Sequence, residues 1–150
     1  MSAMQIRIVV AGKPALAYAR QGVEEYFKRL QKSSSCEWIV VKAGSPEETS
    51  ARLLERTQGC YRVAMDERGD LVTTRQLAVR METMEMRGEV KSVAFLIGAA
   101  DGHTEELRRA CDWVWALSPL TLQHEMALLV LMEQLYRVAA IKSGSPYHRD

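Results

Sequence analysis

Apolar residues in this chain follow two spacings in turn. QIRIVVA, residues 5–11, is mostly apolar and runs into Gly12-Lys13-Pro14, which predicts a buried strand stopped by chain breakers. The spacing then becomes helical: Leu16, Val23, Tyr26, Phe27 and Leu30 fall on one face, while Arg20, Glu24, Lys28 and Arg29 cover the others. Residues 37–41 predict a second strand. Ser45-Pro46-Glu47-Glu48 predicts a helix start, with Ser as N-cap, Pro at the first helical position and Glu three residues after the cap; that helix runs to about Gln58. Residues 61–65 predict a third, short strand, 66–69 (DERG) a loop, and Thr73 or Thr74 the cap of a helix reaching Met86. The most hydrophobic strand, 90–97, ends at Gly98-Ala99-Ala100-Asp101-Gly102. Thr104 caps a short helix to about Ala110, and DWVWAL, 112–117, makes a fifth strand with Trp113 and Trp115 packed on one side. The last helix spans roughly 124–142, and its stripe of Leu128, Leu131, Leu135 and Val138 predicts a core or dimer face. No internal repeat interrupts the series. Strands alternating with helices predict one α/β domain over 1–150, with a mainly parallel sheet and helices on both faces. Such sheets bind ligands beyond the carboxyl ends of their strands.

Composition narrows the class. At 150 residues, 47% hydrophobic and 26% charged, the chain suits a single folded core without disordered or low-complexity tracts. Its longest apolar run, 126–132, is far short of the roughly 20 residues of a membrane span, and MSAMQIRIVVAGK lacks a signal-peptide layout, so the expectation is a cytoplasmic protein without a membrane partner. A net charge of +1 excludes a global basic field, so any contact with RNA is local. Arg20, Lys28 and Arg29 are candidates for such a contact, although a solvated helix face explains each of them singly.

Familiar chemistry is mostly absent. Cys36, Cys60 and Cys111 form no CxxC pair and read as reduced, packed thiols. His103, His124 and His148 share no helix at ligand spacing, so no metal is predicted. There is no GxSxG elbow, GxGxxG turn or P-loop. Gly98 to Gly102 would let backbone approach a ligand closely, but connectivity alone also calls for such a turn. Glu133 and Arg137, four apart, suit a helix-surface ion pair. After Gly144 the chain ends in Pro146, Tyr147, His148 and Arg149, residue types more useful at a site than in a core.

LIGAADG (96–102), LSPLTLQH (117–124) and EQLYRVAAIKSGSPYH (133–148), in this order and spacing, resemble the ribosomal large subunit methyltransferase H family of the SPOUT class; the length, the strand order and QIRIVVAGK agree over essentially the whole chain. The resemblance implies an α/β SPOUT fold with a C-terminal trefoil knot, which periodicity does not indicate and base rates argue against. It implies transfer of methyl from S-adenosylmethionine to N3 of a pseudouridine in large-subunit (23S) ribosomal RNA, on assembled ribosomes, by a metal-free homodimer. Carried over residue by residue, the donor positions fall on Met65, Gly98 and the run Leu117, Ser118, Pro119, Leu120, Thr121 and Leu122. Loop N–H and C=O groups there suit an adenine edge, and Leu and Met suit its faces. Transfer needs a deprotonated imide nitrogen in line with the methyl group. The implied catalytic residues are therefore His148 for the proton, Arg149 and Arg137 for phosphate or developing negative charge, and Tyr147 to stack on a base. Ala99, Gln123 and Leu128 depart from the family's usual Gly, Pro and Arg. They leave open a second class, a non-catalytic or retargeted RNA- or ribosome-binding homologue, which donor binding separates from an enzyme.

Overall fold

A computed structural model describes residues 4–150; the first three, part of the N-terminal stretch read for a signal peptide, lie outside it. Its strands are β1 (Gln5–Ala11), β2 (Cys36–Val41), β3 (Tyr61–Leu71), β4 (Ser92–Ile97) and β5 (Trp113–Ala116). They form one sheet in the order β2-β1-β4-β3-β5, with every pairing parallel. Helices α1 (Ala17–Ser33), α3 (Thr74–Arg87) and α5 (His124–Ser143) cover one face, where Ile8, Phe95, Leu30, Leu77, Leu131 and Leu135 are almost wholly buried. Helices α2 (Pro46–Glu55) and α4 (Glu105–Arg109) cover the other, over Val9, Leu53, Leu96 and Leu107. Each such side chain contributes about 1.5–3 kcal/mol by leaving water. The predicted parallel α/β sheet with helices on both faces is the one found, and the insertion of β3 between β4 and β5 is consistent with the knot that the resemblance implies.

Two expectations need correction. The DERG stretch is not a loop. The chain stays extended from Tyr61 to Leu71, and Met65 and Asp70 both pair with Trp115, so residues 66–69 bulge out of the ladder between them. Gly69 permits this: a Cβ there would stand 2.5 Å from the carbonyl carbon and oxygen of Val114. Trp113 Nε1 then donates to Asp70 at 2.9 Å and fixes the strand's return. A polar stretch reads as a loop in sequence, and 66–69 do leave the ladder; the strand's pairing resumes at Asp70. The second correction is Leu16, which precedes α1 and is 41% exposed, outside the buried face of Ala19, Val23 and Leu30.

Local signals for the helices are realised. Ser45 with Glu48, and Thr73 with Gln76, form capping boxes at the starts of α2 and α3. Trp113 and Trp115 stack with centroids 5.4 Å apart, on one side of β5. Gly144 ends α5 with φ of 76°, a conformation that favours glycine. Helix α1 has no cap of its own. Glu125, from the first turn of α5, accepts from the N–H groups of Ala15 (2.5 Å) and Leu16 (3.0 Å), so one helix caps another across 110 residues of chain.

Candidate functional site

Beside the bulge in β3 and at the carboxyl ends of β4 and β5 lies a cavity of about 500 Å³, within the range of small-molecule sites. Met65, Gly98, Leu117, Ser118, Leu120, Thr121 and Leu122 all line it; of the expected donor positions only Pro119 does not. Met65, Ile97, Trp115 and Leu122 supply apolar surface, and the 98–102 turn supplies backbone. Gly102 has φ of 77° and its N–H donates to Ala99 O at 2.9 Å, closing that turn. A Cβ on Gly98 would stand 3.2 Å from Gly102 C and O and from His103 Nδ1. His103 is buried under the turn, its Nε2 bonded to Leu96 O at 2.8 Å and its Nδ1 without a partner among the described residues. Burial holds its imidazole below the ordinary histidine value, so the neutral ring with the proton on Nε2 fits the carbonyl contact.

The bulge brings Asp66, Glu67 and Arg68 into the same cavity, residues that a strand ending at Met65 leaves out. Asp66 accepts from Arg68 N at 2.9 Å and meets the guanidinium groups of Arg68 (3.3 Å) and Arg108 (3.4 Å). Glu67 accepts from the Thr121 hydroxyl and so ties the bulge to the 117–122 loop. Within that loop Ser118 Oγ accepts from Leu120 N at 2.9 Å. Gln123 caps α5 by accepting from Glu125 N (2.9 Å) and Met126 N (3.1 Å), which gives that departure from the family a local role. Leu128 is fully buried in the core, and Ala99 lines the cavity half-buried.

The expected catalytic residues gather elsewhere. None of the lining residues comes from the C-terminal tail or from Arg137. Arg137 pairs with Glu133 at 2.6 Å, lies 4.7 Å from the Tyr147 ring centroid, and has Nη1 3.2 Å from His148 Nδ1. The Tyr147 hydroxyl donates to Glu133 at 2.8 Å, lies 3.2 Å from the Tyr26 hydroxyl, and its ring sits edge-on to Tyr136. Burial, then its bonds to Tyr26 and Glu133, push the Tyr147 phenol well above its ordinary value. Burial alone would raise the Glu133 carboxyl, but bonds from Arg137 and Tyr147 outweigh it and hold the group low. Tyr147 is thus part of a packed cluster, with one face already covered by a guanidinium. His148 Nε2 lies 2.9 Å from Asp150, whose carboxyl is lowered to about 2 by Arg75 and then by His148. Arg149 is exposed. Of the candidate phosphate contacts, Arg29 is bound to Glu25 and lies over Tyr26 and Tyr136, while Arg20 and Lys28 are exposed. Among the described residues no cluster of three or more His, Cys, Asp or Glu side chains is placed to hold a metal, and no helix is long and apolar enough to cross a membrane.

Comparison with known proteins bears on this arrangement. The family described as "Predicted SPOUT methyltransferase" matches residues 4–148. Two relatives named ribosomal RNA large subunit methyltransferase H, from two strains of Thermus thermophilus, are 47% and 49% identical over 146 residues, covering 97% of this chain and 99% of each relative. A solved structure described as a probable methyltransferase from Bordetella pertussis Tohama I superposes with a TM-score of 0.60 over 91% of this chain and 96% of its own, at 15% identity, a likeness of fold.

Proposed function

Because the chain belongs to the SPOUT methyltransferase family, we propose that it transfers methyl from S-adenosylmethionine to large-subunit ribosomal RNA, at N3 of a pseudouridine, as a homodimer acting on assembled ribosomes. One observation carries the donor half of this reading: Met65, Gly98 and all of the 117–122 loop except Pro119, far apart in sequence, line a single cavity between the β3 bulge and the carboxyl ends of β4 and β5. The cavity fits the donor in kind, with apolar walls for a purine, backbone groups for its edge, and a glycine whose replacement would crowd the turn. Bound there, S-adenosylmethionine supplies an electrophilic methyl group.

The remaining work falls to the chain's own residues. The 98–102 and 117–122 loops orient the donor, and the Glu67–Thr121 contact ties the β3 bulge to the second of these loops. His148 is the proposed proton acceptor. Its Nδ1 lone pair is held by Arg137 in the free chain, so accepting the imide proton requires that contact to give way when RNA arrives. Released from His148, Arg137 joins exposed Arg149 as a donor to phosphate or to the negative charge left on the imide. Because the tail lies apart from its own chain's cavity, the proposed active site is composite, with one protomer supplying the cavity and its partner the tail.

The test is to incubate ribosomes from cells lacking this gene with labelled donor and the protein, and to map the modified nucleotide. Label at N3 of one pseudouridine is the expected result. Label on another nucleotide overturns the substrate assignment, and donor binding without any label overturns the enzyme.

A further inference from the structure

Arg108 is absent from the residues lining the cavity, yet it touches Asp66, which lines it, and His103, which directly follows the lining turn. Its Nη1 donates to the backbone oxygen of His103 at 2.7 Å, just past the 98–102 turn, and meets Asp66 Oδ2 at 3.4 Å, at the start of the 66–69 bulge. Both anchors are themselves fixed. The Asp66 side chain is 4% exposed and accepts from Arg68 N, and the His103 ring is tied to Leu96 O at the end of β4. The guanidinium, 20% exposed, therefore links β4 to the bulge of β3 from outside the cavity.

We propose that Arg108 is a positioning residue for the methyl donor, one group that sets the separation of the 98–102 turn and the 66–69 bulge. This rests on the methyltransferase reading of the cavity. A planar guanidinium suits the role because its N–H groups leave in fixed directions, so two bonds constrain both partners. Donor affinity depends on the spacing of the two walls that hold it, and sites are kept to such tolerances by the residues behind them.

Charge and position predict opposite outcomes when Arg108 is removed. S-adenosylmethionine carries a sulfonium and an ammonium against one carboxylate, so it is a net cation. If Arg108 acted only through its charge, Arg108→Met would relieve repulsion and tighten donor binding. If it acts by position, Arg108→Met loosens it.

The experiment measures donor affinity by calorimetry, donor KM and kcat on ribosomes, and melting temperature, for the full-length protein, Arg108→Met and Arg108→Lys. The expected result is a loss of donor affinity of at least about tenfold in Arg108→Met, equivalent to ~1.4 kcal/mol. It appears as a raised donor KM more than a lowered kcat, and Arg108→Lys recovers part of it. Should Arg108→Met fail to fold because Asp66 is stranded as a buried charge, Asp66→Asn/Arg108→Met is compared with Asp66→Asn alone. Tighter or unchanged donor binding in a folded variant overturns the proposal. So does a melting-temperature drop with donor affinity intact. A wild-type protein that binds no donor fails the methyltransferase reading instead.

Discussion

A Cβ placed on Gly98 would stand 3.2 Å from Gly102 C and O and from His103 Nδ1, closer than most such contacts. The neighbours that resist it are the turn's own backbone and a buried ring with little room to move. Even alanine must therefore push the turn, and a β-branched residue more so. Gly98→Ala is expected to weaken S-adenosylmethionine binding at least about tenfold, and Gly98→Val to abolish it, with the protein still folded. Calorimetry and a melting curve on each variant check this; undiminished affinity would place the donor elsewhere. At this scale legibility followed the chain. Gly98 and the 117–122 loop were readable because contiguous motifs carry them. Asp66, Glu67, Arg68, His103 and Arg108 were not, because their relation to the cavity is spatial: a bulge, a buried ring and a guanidinium reaching 42 residues back to Asp66.

Between elements, α5 does more than fill the core. Glu125 caps α1, which has no side-chain cap at Leu16, and bonds from Leu16 N–H, then Ala15 N–H, hold its carboxyl below the ordinary value against the opposing effect of burial. A carboxyl lowered on folding contributes stability above its unfolded pKa, and that contribution is lost as pH falls through the folded value. Glu125→Gln should thus melt below wild type at neutral pH, by the equivalent of about 1–2 kcal/mol, with the gap closing as pH falls below the ordinary carboxylate range. A gap independent of pH would refute the charged cap. At its other end α5 holds the tail. Tyr147, which composition marked as a poor core residue, is clamped by Glu133, Arg137, Tyr26 and Tyr136. A chain ending at Ser145 is therefore expected to lose about 1–3 kcal/mol, to keep its donor affinity, and to lose transfer at least about tenfold. Full transfer activity in that chain would remove the tail from the mechanism. Capping signals and strand periodicity made the elements and their order legible. The interlocking of α1 with α5 and of the tail with both was hidden, since no local pattern shows which helices meet.

In the whole molecule, two halves of a proposed active site lie apart within one chain. The cavity sits between the β3 bulge and the ends of β4 and β5, while Arg137 of α5 clusters with Tyr147 and His148 of the tail without lining it. The proposed two-fold dimer, in which each tail serves the other chain's cavity, would join the halves, and it makes a prediction that a self-contained protomer does not share. Gly98→Val lacks a working cavity but keeps its tail, whereas the chain ending at Ser145 lacks the tail but keeps its cavity. Each alone is expected to be inactive on ribosomes. Mixed and allowed to exchange, half of the dimers are heterodimers, and one of the two sites in each combines an intact cavity with an intact tail, restoring about a quarter of wild-type activity. If each chain used its own tail, no combination would rebuild a site and the mixture would stay at background. Sedimentation of the wild type at micromolar concentration must show a dimer for the scheme to hold, and mixed dimers that form without recovering transfer would refute it.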